Sequence, residues 1–257
     1  MVKIFIDPGH GGTDPGAVGN GLQEKNLTLT ISRQMRDMLL NEYNGVEVRM
    51  SRDSDVTIGL SHRAAAANNW GADYFSSIHI NAGGGTGFES FIHSSLPARA
   101  QQLQRILHPD IVAQLSVTDR GQKNANFAVL RETTMPAILT ETLFIDRVAD
   151  ANLLKDPAFL TRAARGHVNG IARAFNLQRK QVTVTPGTLY KVQCGAFSVR
   201  SNADTLANRL IADGFTPYVF QENNLWKVQV GAFSQRGNAE ALARELNAKG
   251  YQTTIVT

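Results

Sequence analysis

A single cysteine, Cys194, stands in a chain of 257 residues, so no intramolecular disulfide can form. No run of about 18 apolar residues occurs, and no membrane span is expected. The opening MVKIFIDPG enters a strand at once, without a charged leader, a long apolar stretch or a small-residue cleavage site. No secretory signal is therefore expected. A chain made in the cytoplasm that acts outside the cell would be released by lysis or a route other than the general secretory one. Charge of one sign is not in large excess either, at 26 basic against 22 acidic side chains. Residues 1–178 hold 17 of each, so the surplus lies in the C-terminal third. Such an excess fits an anionic polymer and equally a solvated surface. Neither a nucleic-acid nor a membrane partner is expected. What is present is an ordinary globular composition, 42% hydrophobic and 19% charged. The length suits one large domain, or a large one plus a small one.

An internal repeat organises the C-terminal part. LYKVQCGAFSVRSNADTLANRLIADGF (189–215) and LWKVQVGAFSQRGNAEALARELNAKGY (225–251) align without a gap at an offset of 36 residues. Each copy opens on a period-two strand. Tyr190, Val192 and Cys194 face one way, and Lys191 and Gln193 the other; Trp226, Val228 and Val230 oppose Lys227 and Gln229. A helix follows, with Asn202 or Asn238 expected as its cap. Its apolar stripe is Ala203, Leu206, Ala207 and Leu210, mirrored by Ala239, Leu242, Ala243 and Leu246. Gly214 and Gly250 stop the helices, and a short strand closes each copy. One βαβ unit is too small to bury a core alone. Two together predict an α+β, ferredoxin-like βαβ-βαβ domain over 189–257, with helices on one sheet face and the other face open. Cys194 takes the slot that Val230 fills, as a small buried hydrophobe. The polar stretch QRKQVTVTPG (178–187) lacks helical periodicity and ends in Pro-Gly, and the linker is expected over 179–188.

Residues 1–178 alternate strands and helices, which predicts an α/β fold with an open, mixed but mostly parallel sheet and helices on both faces. Strands are expected at KIFID, VEVRMSR, DYFSSIHINA, GFESFIH, FAVLR and PAILTETLFI. Helices are expected at NLTLTISRQMRDMLLNEY, at HRAAAANNWG capped by Ser61, at PARAQQLQRILHPDIVAQL and at DPAFLTRAARGHVNGIARAFN.

Three polar groups sit where strands end: His10 after KIFID, His79 after YFSSI and Glu141 after PAILT. Ligands bind at the carboxyl ends of strands in open α/β sheets. Glu24 lies close behind His10, in the loop that leads into the first helix. Two imidazoles and one carboxylate suit catalytic zinc, which keeps one position for water and lowers its pKa to about 7. A further carboxylate is then needed as general base, and Glu141 suits that role. Other readings stay open on spacing alone. Glu24 could compensate a helix N-terminus, Glu141 could pair with Arg131, and His93 could replace one ligand. His62, His108 and His167 are expected to be surface or satisfied core residues.

IFIDPGHGG, the following Glu24, SIHINA and VLRETTMPAILTE together resemble the zinc-dependent N-acetylmuramoyl-L-alanine amidases of the amidase-3 family, over essentially all of residues 1–177. The repeats resemble a SPOR domain, a module that binds the glycan strands of peptidoglycan. The combination resembles the mother-cell wall amidases of spore-forming bacteria. The resemblance implies one zinc ion held by His10, Glu24 and His79, with Glu141 as catalytic residue and Asn81 and Arg131 near the substrate. It implies hydrolysis of the amide between the lactyl group of N-acetylmuramic acid and L-alanine. Lys191, Gln193, Lys227 and Gln229 become candidate glycan contacts, or else plain solvated strand positions. The family's Gly-Phe or Gly-Leu pair after the catalytic glutamate is here Leu143-Phe144, and its polar pair is Asp146-Arg147. Some relatives insert a plugging helix after the His-x-Asn-Ala segment; here Asn81-Ala82 runs straight into Gly83-Gly84-Gly85-Thr86. An open site, no activator protein and a monomer are expected. The rival functions are another zinc-dependent wall hydrolase, such as a sugar deacetylase or peptidase, and a non-catalytic peptidoglycan-binding protein.

Overall fold

A computed structural model of the chain describes residues 1–180 and 189–257. It divides into two compact units at Lys180. The first unit runs β1 (Val2–Pro8), a small hairpin of β2 (Val18–Gly19) and β3 (Leu22–Gln23), α1 (Glu24–Glu42), β4 (Val46–Met50), α2 (Leu60–Trp70), β5 (Tyr74–Asn81), β6 (Phe88–His93), α3 (Ala98–Leu115), β7 (Asp119–Ala125), α4 (Ala128–Glu132), β8 (Ala137–Phe144), α5 (Val148–Leu154) and α6 (Pro157–Ala174). The sheet order is β4-β1-β5-β8-β6-β7. The first four strands are parallel; β6 runs antiparallel to β8, and β7 runs parallel to β6.

Burial explains the composition of these strands. β1 and β5 are covered on both sides and so read as continuous apolar runs. One sheet face presents Ile4, Ile6, Ile78, Phe88 and Ile138 to a core shared with α1, α3 and α6. The opposite face presents Phe5, Phe75 and Leu139 to a smaller core with Ala67 of α2 and Val129 and Leu130 of α4. Helices therefore lie on both faces, as the alternating pattern requires. Asp7, Ser77, His79 and Glu141 are the polar continuation of that second face, at the carboxyl ends of their strands.

Several local expectations are corrected. FAVLR is not a strand, since Ala128–Glu132 forms α4; a short apolar run satisfies either period. DRGQKNA forms the edge strand β7, whose alternating exposure carries no apolar signal. Ser61 does not cap α2, which begins at Leu60 after Gly59. Arg179 and Lys180 belong to the first unit rather than to a linker. The Lys180 amide donates to the Glu42 carbonyl at 2.7 Å, and Arg179 pairs with Tyr43 across an isolated bridge. The rest of the expected linker, 181–188, lies outside the described residues.

The second unit holds β9 (Tyr190–Phe197), α7 (Arg200–Ala212), β10 (Tyr218–Glu222), β11 (Leu225–Phe233), α8 (Arg236–Ala248) and β12 (Thr254–Val256). Its antiparallel sheet has the order β10-β11-β9-β12, the ferredoxin-like arrangement of a βαβ-βαβ chain. Val192 and Val228 are fully buried against Ala203, Leu210, Ala239 and Leu246. The helices begin at Arg200 and Arg236, so Asn202 and Asn238 lie inside the first turn and do not cap. Cys194 and Val230 occupy matching irregularities of the β9–β11 ladder and pack on the same core. Burial pushes the Cys194 thiol up to about 11, which suits a hydrophobe rather than a nucleophile.

Candidate metal centre

Burial of β1 ends abruptly at Pro8-Gly9-His10, and His10 adopts φ 61°, in the left-handed region. A side chain there costs about 1–2 kcal/mol, so the surroundings must hold it. Two arginines, each only 3% exposed, do so. Arg63 donates to the carbonyls of Pro8 (2.6 Å) and His10 (2.7 Å). Arg52 donates to Pro8 O (3.1 Å) and Gly9 O (2.9 Å). Two glycines are required by close approach. A Cβ on Gly9 would lie 2.4 Å from the His79 ring, and one on Gly16 would lie 2.6 Å from both Glu24 Oε2 and the His10 ring. The glycine-rich turn thus clears the space into which two imidazoles and a carboxylate converge.

Glu24 begins α1 and is 3% exposed. Its Oε1 accepts from the Ile80 amide at 2.9 Å and lies 2.9 Å from His79 Nδ1. Its Oε2 accepts from the Ala17 amide at 2.8 Å and lies 3.2 Å from His10 Nε2. One donor atom from each of His10, Glu24 and His79 falls within 4.8 Å of the others. The His10 and His79 rings stand edge to face, 5.0 Å between centroids. Burial alone would raise the Glu24 carboxyl, but hydrogen bonds from both histidines hold it well below the usual carboxylate range. Burial alone would lower His10; the hydrogen bonds and charges of Glu24 and Asp14 instead lift it to about 9. His79 is raised against the same burial, through Glu24 and Glu141. A cluster that draws protons onto two imidazoles is one that draws a cation, and its nitrogen and oxygen donors fit zinc.

Asp14, which spacing did not single out, completes this group. Its Oδ2 lies 2.8 Å from His10 Nδ1. An outer carboxylate on one ring nitrogen orients the imidazole and leaves the other nitrogen for a metal. The only sequence signal was its place four residues after His10 in the same Gly/Pro-rich turn.

Glu141 sits beside this cluster, directly opposite His79 in the β5–β8 register. Its Oε2 is buried without a hydrogen-bond partner among the described residues. Burial, the nearby carboxylates of Glu24 and Glu89 adding to it, raises the group to about 7 despite His79 and His10. A poised, unpartnered carboxyl next to a set of side chains that could hold a metal is what a general base requires. The group opens into a cleft of about 490 Å³ with Ile58, Leu60, Phe127, Val129 and Leu139 as its apolar wall.

Other expected residues lie elsewhere. Arg131 is at hydrogen-bond distance from Asn126 and ion-pairs with Glu132, not Glu141. Asn81 is spent on Glu89 Oε1 (2.8 Å) and the Ala82 amide (2.8 Å), so neither residue lines the cleft. His93 binds Ser95 and Asn126 instead of joining the cluster. His108 bridges Ser90 and Asp119, and His167 is a satisfied core residue. Leu143 points into the main core, at φ 64° in a bulge of β8. Asp146 accepts from the Gly83 and Gly84 amides at 2.8 Å each. Leu143 and Asp146 therefore lie in the core and in a loop, outside the lining of the cleft. In the second unit, Lys191, Gln193, Lys227 and Gln229 alternate with the buried Val192 and Val228 and so share the open sheet face. The register adds Tyr218 opposite Gln229 and Phe220 opposite Lys227, their rings stacked at 5.5 Å. The repeat comparison missed this pair because the second copy carries no aromatics there.

Comparison with known proteins agrees with this architecture. The sporulation-specific N-acetylmuramoyl-L-alanine amidase of Bacillus subtilis (strain 168) is 56% identical over 219 residues, covering 85% of this chain and 84% of that protein. The N-acetylmuramoyl-L-alanine amidase CwlM of Bacillus licheniformis is 54% identical over 224 residues, covering 87% of each. The crystal structure of an N-acetylmuramoyl-L-alanine amidase from Clostridium difficile 630 superposes with a TM-score of 0.66 at 34% identity, covering 68% of this chain and 97% of that one. Residues 186–257 match the SPOR domain. With residues 4–173 matching its family model, the chain belongs to the N-acetylmuramoyl-L-alanine amidase family.

Proposed function

We propose that the first unit binds zinc through His10, Glu24 and His79 and hydrolyses the amide joining the lactyl group of N-acetylmuramic acid to L-alanine in peptidoglycan. The observation that carries this reading is the unpartnered Glu141 carboxyl set against the His10–Glu24–His79 cluster in an open cleft. When bound, zinc supplies a Lewis acid for the scissile carbonyl and acidifies water. Glu141 takes the proton of the attacking water and returns it to the departing alanine nitrogen. Asp14 fixes the His10 imidazole through its other ring nitrogen, the Ala17 and Ile80 amides fix the Glu24 carboxylate, and Arg52 and Arg63 fix the turn that carries His10. The apolar wall keeps bulk water from the reacting carbonyl.

The second unit retains the enzyme on the glycan strands through the open sheet face. Lys191, Gln193, Lys227 and Gln229 supply polar contacts, and Tyr218 with Phe220 supplies a stacking platform for sugar rings. No helix among the described residues is long and apolar enough to cross a membrane. The enzyme acts on the wall as a monomer. The short β5–β6 connection pinned by Asp146 supports activity without an activator protein.

Digestion of purified peptidoglycan tests the reaction. New alanine amino termini are expected; acetate or cleaved peptides would assign a different hydrolase. Chelation should stop release and zinc restore it. Glu141→Gln should lower turnover by about 10²–10⁴-fold while zinc content stays at one per chain.

A further inference from the structure

Beyond Glu141 the same sheet face carries a charged group that the reaction as described does not use. Glu89 stands opposite Glu141 in the antiparallel register of β6 and β8, so the two side chains leave the sheet on one face. Glu89 is 5% exposed. Its Oε1 accepts from Asn81, and its Oε2 accepts both Arg120 Nε (2.7 Å) and the Lys123 ammonium. One cation would satisfy a buried carboxylate; two leave a net positive charge. Neither is sealed off, since the side chains of Arg120 and Lys123 are 33% and 38% exposed. The Arg120 guanidinium lies 4.8 Å above the Phe144 ring, and Lys123 lies 5.9 Å from that of Phe91. Among the described residues the terminal guanidinium N–H groups of Arg120 meet no acceptor, and Lys123 spends its ammonium on Glu89 alone.

The order of strands gives this pair a direction. Across the sheet come β1 with His10, β5 with His79, β8 with Glu141, β6 with Glu89, and β7 with Arg120 and Lys123. The group that returns a proton to the leaving nitrogen must stand on the leaving group's side of the carbonyl. On the amidase reading, with His10 and His79 on one side of Glu141, the side left for the departing peptide is that of β6 and β7. Neighbouring strands are about 4.8 Å apart. The cationic heads, drawn back onto Glu89, thus lie about 5–8 Å from Glu141. An extended peptide places the next residue's carboxyl about 7 Å beyond the scissile nitrogen.

We infer that Arg120 and Lys123 form a carboxylate-binding subsite for the second residue of the stem peptide, an acidic residue whose α-carboxyl stays free because the chain continues through its side chain. The inference rests on the amidase reading above and adds to it a preference for a charged over an amidated stem. The guanidinium presents its free donors to the substrate carboxylate, and the ammonium adds a point charge. Glu89 holds both heads in place without neutralising both.

The test uses the zinc-loaded full chain and two muropeptides that differ only at that position, free carboxylate against carboxamide. Release of the alanine amine is followed for each. The carboxylate form should be cleaved with about tenfold or more greater kcat/KM, carried by KM. Arg120→Gln and Lys123→Gln should each shrink that ratio, and Arg120→Lys should restore most of it, with zinc content and Tm unchanged. Equal cleavage of the two substrates by the unaltered enzyme overturns the subsite and leaves the amidase reading standing. Release of no alanine amine from either overturns that reading instead. If Arg120→Gln lowers both substrates in equal proportion, Arg120 is only a structural partner of Glu89, and the subsite falls.

Discussion

Arg63 and Asp7 form an ion pair at 2.8 Å with side chains only 3% and 1% exposed, at the point where β1 turns toward the candidate metal centre. Asp7 is satisfied further by Ser51 (2.6 Å) and Ser77 (2.8 Å). Arg63 spends its other donors on the Ile58, Pro8 and His10 carbonyls. One buried pair therefore links the sheet, the N-terminus of α2 and the backbone of a proposed ligand.

Breaking that pair strands a charge in the interior. Asp7→Ala should destabilise the first unit by about 3–5 kcal/mol. Replacing Asp7 and Arg63 together by apolar residues should cost less than the sum of the single changes. Urea denaturation of the two single variants and the double variant measures the coupling.

Asp14 is expected to act through His10 rather than on substrate. Asp14→Asn should weaken zinc affinity about 10–100-fold while leaving the fold intact. Titration against a competing chelator measures this, and circular dichroism checks the fold.

His167 makes stability depend on pH. It is fully buried, with Nδ1 donating to the Ala163 carbonyl (2.8 Å) and Nε2 accepting from Thr140 (3.0 Å). Burial pushes it down to about 4 from an ordinary 6.5, so the unfolded chain binds the proton more tightly. Its contribution is complete above about pH 6.5 and is lost as pH falls toward 4, at most about 3 kcal/mol. His167→Gln should flatten the pH dependence of urea midpoints in that window; an unchanged slope would remove His167 as its source.

Leu143 sets two effects against each other. It is 1% exposed in the main core but holds a left-handed backbone, a conformation that favours glycine. Emptying an equally buried leucine of ordinary backbone, such as Leu103, should cost about 2–5 kcal/mol. Relief of about 1–2 kcal/mol of strain makes Leu143→Gly milder, and wall hydrolysis should persist because the side chain faces away from the cleft. Paired denaturation curves of the two variants decide it.

Tyr218→Ala and Phe220→Ala should each reduce sedimentation with isolated cell walls several-fold, without altering cleavage of small muropeptides. Loss of both properties would place the second unit in the catalytic fold instead.

The legible part of this molecule is the part written in periods and motifs. Continuous apolar runs located β1, β5 and β8; the gap-free repeat predicted the second unit, with Val192 and Val228 inward. His10, Glu24, His79 and Glu141 were visible because each stands at a strand end or a helix start. β7 was not, because a polar edge strand has no apolar alternation, and α4 was read as a strand because five residues cannot separate two periods. Asp14, Arg52 and Arg63 escaped notice for another reason. Their work is to bond a ring nitrogen or main-chain carbonyls, and a carbonyl has no residue identity to read.

The guanidinium clamps on Pro8, Gly9 and His10 have a consequence for how the protein matures. These bonds run from side chain to backbone and enlist no ion, so the turn is scaffolded by the polypeptide itself. Uptake of the proposed zinc would then be a late docking event on a finished surface, unlike small domains that fold only around their ion. Synthesis and arming could then be separated in time, which would be useful for a hydrolase of peptidoglycan.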